Sequence, residues 1–454
     1  MRRHSIIARL GPADRTPVKV LQADSLSTEI RFIEGDDRLG FGLGQMIDQL
    51  IERGVVPSET AVDLGILAAT ITAADTRISR SKDAQDGWTR EIDLYLPVQA
   101  PDRWSALGPL LEGTMTFLTG DHWRLFFRGR DARYRVLIKR PRTLVRPSFT
   151  SVCLFSGGLD SFIGAIDLLA AGEKPVFVSH YGDISTSSQQ RCADHIAKVY
   201  GDMRVRHVRA NVRFNKGDFS HATASEVTTR GRSFLFLSLA AIAASGLDNN
   251  PMIYVPENGL ISLNVPLDRL RVGAWSTRTT HPFYMARWKD ILQDLGIAAS
   301  LANPYRFTTK GEMLAKCKNQ SIVRKHVAET ISCSSIAKAR WLGSVPRQCG
   351  YCVPCLIRRS AIVAAFGKDP TTYTISDLRG RPLNAKAAEG EHVRSFQMMA
   401  ERLKQRPGIE KILVRKSGPL SDYDAAEVAE YASVFRRGIE EVAALIGSAV
   451  VRPL

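Results

Sequence analysis

Val152-Cys153-Leu154-Phe155 runs directly into Ser156-Gly157-Gly158-Leu159-Asp160-Ser161, and this junction decides the fold. The first four residues are apolar and read as a buried β-strand. Beyond the turn, Phe162, Ile163, Ile166 and Leu169 fall on one helical face, with Gly172 as the stop. A strand that enters a helix through a glycine pair is suited to bind an anion. The glycines let the backbone turn tightly and approach a ligand with no Cβ in the way. The amides of the turn and the helix N-terminus then face negative charge. Ser156 and Ser161 can donate to phosphate oxygens, and Asp160 can help hold a magnesium ion. A bare Ser-Gly-Gly would be better read as an ordinary turn; the full hexapeptide after a new strand favours a phosphate site. The segment fits neither the GxGxxG dinucleotide pattern nor the GxxxxGK[ST] triphosphatase loop.

Downstream, strands are expected at 175–179, 205–210 and 252–256, with helices at 188–200 and 233–244. Strands alternating with helices predict an α/β fold, a doubly wound parallel sheet. Upstream, strands are expected at 5–10, at 28–33 and around Ile92, Leu94 and Leu96. Helices are expected at 44–53 and 58–72, the second capped by Ser58. Residues 122–140 read as a hairpin turning at Gly129-Arg130-Asp131, and Pro141 and Pro147 make a stiff connector. The expected organisation is an accessory α+β domain at 1–147 that docks a partner or substrate. A domain built on the phosphate turn at 148–372 and a helical region at 373–454 follow. One long helix is expected there, from Ser421 to Gly447.

The chain has 454 residues, enough for two or three domains. A 44% hydrophobic and 24% charged composition excludes wholesale disorder and collagen. The 62 basic against 46 acidic residues leave +16, which favours an anionic partner. Nine basic residues and one acid, Asp131, lie between Arg124 and Arg146, read as a funnel or dock beside the phosphate turn or else as a solvated face. The most apolar stretch, 234–244, is too short to span a membrane. The opening MRRHSIIARLG does not read as a secretory signal, so a cytoplasmic location is expected.

Three of the seven cysteines, Cys349, Cys352 and Cys355, sit at CxxCxxC spacing, with Cys333 upstream. Four thiolates close a tetrahedral structural zinc site; iron–sulfur ligation is the alternative. Cys317 and His326 rival Cys333 as the fourth ligand. Cys153 and Cys192 read as packed core residues. Glu257 and Asn258 follow a strand's C-terminal end, where open sheets bind ligands. Arg278, Thr279, Thr280 and His281 offer a cation, hydroxyls and a proton carrier, a set suited to a carboxylate and a purine-like ring. A polar surface loop is the plain alternative.

Ser156 to Ser161 resembles the SGGxDS PP-loop of the ATP pyrophosphatase group. Together with the cysteine cluster it resembles the QueC, or 7-cyano-7-deazaguanine synthase, family over roughly residues 150–370. Tyr181-Gly182-Asp183, Arg232-Ser233-Phe234-Leu235-Phe236-Leu237-Ser238 and Arg358 add to the match. The departures are about 150 preceding residues, a wider Cys333–Cys349 gap, and Trp275-Ser276-Thr277-Arg278-Thr279-Thr280-His281-Pro282 in place of the family's GYPDCR. In these the chain is more similar to the longer QueC-like proteins of bacterial anti-phage systems, such as QatC and those of CBASS operons.

The resemblance implies a Rossmann-like PP-loop fold and an AMP-forming ligase. ATP would lie on Ser156, Gly157, Gly158, Leu159, Asp160 and Ser161. A 7-carboxy-7-deazaguanine-like acid would meet Arg232, Glu257, Asn258, Arg278, Thr279 and Thr280. Asp160, Ser161, Arg278 and His281 are the expected catalytic groups, and Cys333, Cys349, Cys352 and Cys355 the zinc ligands. ATP, Mg2+ and Zn2+ are the implied cofactors. An amine, from ammonia or a protein partner of the same operon, would accept the acyl group. A PP-loop RNA-modifying enzyme would need reactive cysteines near the loop. A non-catalytic nucleotide- or nucleic-acid-binding module would need a degenerate loop.

Overall fold

The computed structural model describes residues 2–35, 38–139, 148–182, 186–201, 206–221, 224–226, 228–268, 278–334, 336 and 347–453. Two all-parallel sheets follow one another along it. The first holds β1 (Arg3–Arg9), β2 (Leu26–Arg31), β3 (Glu91–Val98) and β4 (His122–Gly129), in the order β2-β1-β3-β4. Helices α1 (Leu43–Glu52) and α2 (Glu59–Arg77) lie between β2 and β3, and α3 (Pro101–Thr119) between β3 and β4. Ser58 caps α2 as expected, accepting from Ala61 N.

Residues 122–140 do not form the expected hairpin. β4 pairs parallel with β3, from His122 opposite Glu91 to Gly129 opposite Val98. The chain then enters a single 3-10 turn, Ala132–Tyr134, capped by Asp131. The connector with Pro141 and Pro147 lies outside the described residues. Much of the local basic charge is also used inside the fold. Arg124 pairs with Asp93 at 2.6 Å and Arg128 with Asp14 at 2.8 Å. Arg130 lies between Glu59 and Asp63, 2.7 Å from the latter. These three arginines cannot serve as an open funnel.

The second sheet holds β5 (Ser151–Leu154), β6 (Pro175–His180), β7 (His207–Ala210), β8 (Met252–Tyr254) and β9 (Ser300–Ala302), in the order β7-β6-β5-β8-β9. All pairs are parallel, as the strand–helix alternation predicts. Successive strand residues face opposite sides. Val152 therefore joins one apolar cluster, and Cys153 and Phe155 join another. The connecting helices are α4 (Leu159–Ala170), α5 (Thr186–Tyr200), α6 (Arg232–Ala244) and α7 (Pro282–Asp294).

Helix α6 is apolar almost all round because it lies between the second sheet and α2. The contact with α2 is close: a Cβ on Gly65 would meet Ile242 Cδ1 at 2.7 Å. One hydrophobic cluster consequently runs from Ile6 through α2 and α6 to Leu301. A buried ionic joint reinforces it. Arg90 donates to Asp75 (2.8 Å) and Asp121 (2.6 Å), Arg80 also donates to Asp121 (2.6 Å), and Asp75 accepts from Gly231 N at the head of α6.

Helices α8 (Lys310–Lys316), α9 (Val353–Phe366), α10 (Ala388–Gln405) and α11 (Ala425–Ile446) complete the described chain with short elements between them. α10 and α11 share a cluster with Leu260 and Leu263 beside the second sheet. The cap of α11 is Asp424, not the expected Ser421; Asp424 accepts from Glu427 N at 2.8 Å. Among the described residues no helix is long and apolar enough to cross a membrane.

Candidate active site

β5 and β8 are neighbours, yet their connections leave on opposite sides of that pair. Such a reversal opens a crevice beyond the strand ends. Here the crevice is a cavity of about 860 Å³, lined by the 156–161 turn, Arg230, Arg232, Glu257, Arg278 and Lys310, with Thr279 also at its wall.

The turn is braced from behind. Gly157 has φ +75°, and a Cβ there would meet Gln189 N at 2.6 Å, so α5 packs directly on it. The Gly157 carbonyl accepts from Ser188 Oγ (3.0 Å) and Ile331 N (3.1 Å). Ser161 Oγ accepts from Ser156 N and donates to Gly158 O, which fixes the turn's curvature. Leu159, Asp160 and Ser161 form the first turn of α4, whose N–H groups have no carbonyl within the helix to bond. That geometry suits polyphosphate oxygens.

Asp160 is held by three hydrogen bonds. Its Oδ1 accepts from Lys310 Nζ at 2.6 Å, and its Oδ2 from Asn258 N and Nδ2 at 3.1 and 2.8 Å. Its Oδ1 keeps a further lone-pair position, so these bonds leave the expected magnesium role open. The cation beside the turn is Lys310. Asn258 is buried and also caps a short helix by accepting from Ile261 N. Glu257 accepts from Thr280 Oγ1, while Thr280 Oγ1 and Ser262 Oγ lie 2.6 Å apart. Burial pushes the Glu257 carboxyl up to about 7, against the Thr280 hydrogen bond, with Asp160 adding to the rise.

Two arginines define the opposite wall. Arg278 Nη1 donates to Phe117 O at 2.6 Å and its guanidinium lies 4.3 Å from the Phe117 ring centroid. Arg230 Nη1 donates to Thr119 O at 3.0 Å and stacks on Trp88 at 3.8 Å. Both carbonyls belong to the C-terminal turn of α3, where helix carbonyls are left without intrahelical partners. Loss of solvation lowers both guanidinium groups to about 10, and each sits in a field that contains a further arginine. A cavity wall of this kind favours a carboxylate ligand. Arg232 lines the cavity and lies 5.2 Å from the Phe236 ring.

His281 lies apart from this group. It is fully buried, caps α7 by accepting from Phe283 N at 3.2 Å, and meets Ser417 Oγ at 3.2 Å. Burial lowers it to about 3, so it is a neutral packing and capping residue here. Asp183 and Trp275, Ser276 and Thr277 lie outside the described residues. Lys310 and Arg230 also line the cavity, and the sequence reading did not pick them out. Thr309 and Glu312 make a capping box that places Lys310 at the start of α8, a local signal that was legible.

The four cysteines converge as expected. Cys333 Sγ and Cys352 Sγ are 3.9 Å apart, and Cys349 Sγ and Cys355 Sγ 3.8 Å. A tetrahedral zinc with Zn–S bonds near 2.3 Å sets its sulfurs about 3.8 Å apart. The backbone N–H groups of Cys349 and Cys352 point at Cys333 and Cys349 sulfurs, both at 3.3 Å. The set fits zinc. Cys317 is buried in a different cluster, and His326 faces Glu329. Arg358 ties the cysteine-bearing α9 to the turn below, donating to Thr330 Oγ1 and Val327 O.

No protein-family model matches the chain, and no solved structure matches it. A curated 7-cyano-7-deazaguanine synthase from Methanoregula boonei (strain DSM 21154 / JCM 14090 / 6A8) is similar, at 24% identity over 237 residues. The alignment covers 49% of this chain and 98% of that protein. This distant likeness, together with the parallel α/β sheet and the four-cysteine cluster, supports a QueC-like family for the chain.

Proposed function

We propose that the protein is a QueC-like, ATP-dependent, AMP-forming ligase acting on a 7-carboxy-7-deazaguanine-like acid. One observation carries the reading: the glycine turn, Lys310 and the two arginines converge on a single cavity at the strand-order reversal. The name of the similar Methanoregula boonei protein, 7-cyano-7-deazaguanine synthase, is in keeping with it.

In this reading the turn amides, the Ser156 hydroxyl and Lys310 hold the polyphosphate of ATP. Arg230 and Arg278 hold and orient the acid. Its carboxylate oxygen attacks the α-phosphorus, and pyrophosphate leaves. An amine nitrogen then attacks the acyl carbon, AMP leaves with the bonding pair, and the surplus proton passes to Glu257. A carboxyl near 7 is suited to that transfer. A zinc ion bound by the four cysteines would hold together the segment beside the cavity. Asp160 would be the carboxylate to share with a magnesium ion on the polyphosphate, where the ion would offset negative charge.

The finer reading is that the amine belongs to a protein partner, docked through the N-terminal region, in anti-phage defence. The replaced Trp275 to Pro282 segment and the extra N-terminal sheet motivate it. A tRNA thiolation-like activity is disfavoured by the cysteines near the loop. Burial raises both thiols, Cys192 to about 12, so neither is a ready thiolate.

The test is incubation with ATP and 7-carboxy-7-deazaguanine, with pyrophosphate and AMP measured. Acid-dependent release of both is expected; no release with this acid would overturn the ligase reading. Adding ammonia tests the acceptor. Complete conversion to free nitrile without a partner would overturn the protein-acceptor reading and leave the ligase standing.

A further inference from the structure

His195, His326 and Glu329 form a second cluster of metal-ligating groups, separate from the cysteines and behind the glycine turn. His195 projects from α5. His326 ends the short helix Gln320–His326, and Glu329 ends the next turn. His195 Nε2 lies 2.9 Å from Glu329 Oε2, and His326 Nδ1 lies 3.0 Å from Glu329 Oε1. The imidazoles stack with centroids 3.5 Å apart. Both histidine side chains are about 15% exposed and Glu329 is 34% exposed, so an ion can reach the group from solvent.

We propose that His195, His326 and Glu329 bind a divalent first-row transition ion, independently of the four-cysteine site. Two imidazoles and a carboxylate are the donors of many zinc centres and suit nickel and cobalt as well. Donors around such an ion, with bonds near 2.1 Å, stand roughly 3.0 to 3.4 Å apart. The two nitrogen–carboxylate separations are already at the lower end of that range. An imidazole binds an ion through the lone pair in its ring plane, so the two rings open from their stack as they converge on the ion. Arg191 Nε, 3.7 Å from Glu329, is the competing cation; its side chain is 47% exposed and can turn outward.

The location gives the site a consequence. Ser188, two helical turns before His195, donates to both Gly157 O and Glu329 O. Ile331, two residues after Glu329, donates to Gly157 O. An ion joining α5 to the 326–329 segment would fasten the two supports of the glycine turn to each other.

The experiment uses the full chain carrying zinc in its cysteine site. The protein is equilibrated with Ni2+ or extra Zn2+, freed of excess metal, and assayed for bound metal per chain. Thermal melts are recorded with and without Ni2+. Wild type is expected to hold one more ion than the cysteine site accounts for, and to melt higher with Ni2+. His326→Asn and Glu329→Gln are expected to lose both effects while keeping the cysteine-bound zinc. Wild type with no additional ion, a hydrogen-bonded bracket only, would overturn the proposal without recourse to any variant. So would an additional ion that persists in both variants.

Discussion

Glu257 holds its proton longer than an ordinary glutamate because its carboxyl is withdrawn from water. The unfolded chain ionises at about 4.5 and the folded one at about 7, so the folded state binds more protons between those values. Stability contributed by the neutral carboxyl is therefore complete at low pH and declines as pH rises through this window. At about 1.4 kcal/mol per pH unit, the decline reaches up to about 3 kcal/mol. Denaturant titrations at pH 5 and pH 8 should show this loss in wild type and not in Glu257→Gln. Lys310→Met should be more damaging, because it leaves the buried Asp160 carboxylate without its cation. A stability loss of about 3–5 kcal/mol is expected from chemical denaturation, with acid-dependent pyrophosphate release abolished. Residue placements were legible where chemistry and local order coincide, as in the convergence of the cysteines and the strand-to-helix turn at 156–161. The place of Lys310 at the head of α8 was open to reading, but its pairing with Asp160 across 150 positions was not. His281 was misjudged through its chemistry. Pro282 at the first helical position marks the histidine as a cap, and a cap is drawn into the packing.

Elements were read well where their signals are local. The α4 stripe, the Ser58 cap and four of the five strands of the second sheet lie close to expectation, while β9 was not expected. β4 was misread because a Gly-Arg-Asp triplet looks like a turn, whereas parallel pairing with β3 depends on partners some 30 residues away. Helix α3 was overlooked because Gly108, Pro109 and Gly113 interrupt its propensity. Trp104, Leu107, Leu111, Met115 and Leu118 nevertheless keep a helical stripe, and their burial decides the matter. Two substitutions probe this level. Gly157→Ala places a methyl group 2.6 Å from Gln189 N at a left-handed φ. It should abolish acid-dependent pyrophosphate release while leaving the far-UV circular dichroism near that of wild type. Ser58→Ala removes a single acceptor from the head of α2, and a stability loss of about 1 kcal/mol is expected from denaturant unfolding.

At the scale of the molecule, the two sheets are joined by apolar packing and by charge. Arg90→Met leaves Asp121 and Asp75 facing each other with one guanidinium fewer, in a place closed to water. A loss of about 3–5 kcal/mol is expected on chemical denaturation. The shared cluster from Ile6 to Leu301 further predicts one unfolding transition for both sheets. Tryptophan fluorescence and far-UV circular dichroism should report the same midpoint; two resolved midpoints would show that the sheets unfold separately. The α/β class was legible because alternation is a local pattern. The joint was not, because its parts are scattered between Asp75 and Gly231 and none of them forms a motif.

That joint bears on how such a protein can diversify. Helix α6 presents one face to the second sheet and the other to α2, with Ile242 seated against Gly65. A chain built without the front half would leave the Ile242 side of α6 facing water. Swapping one half for another therefore calls for matching changes on that face.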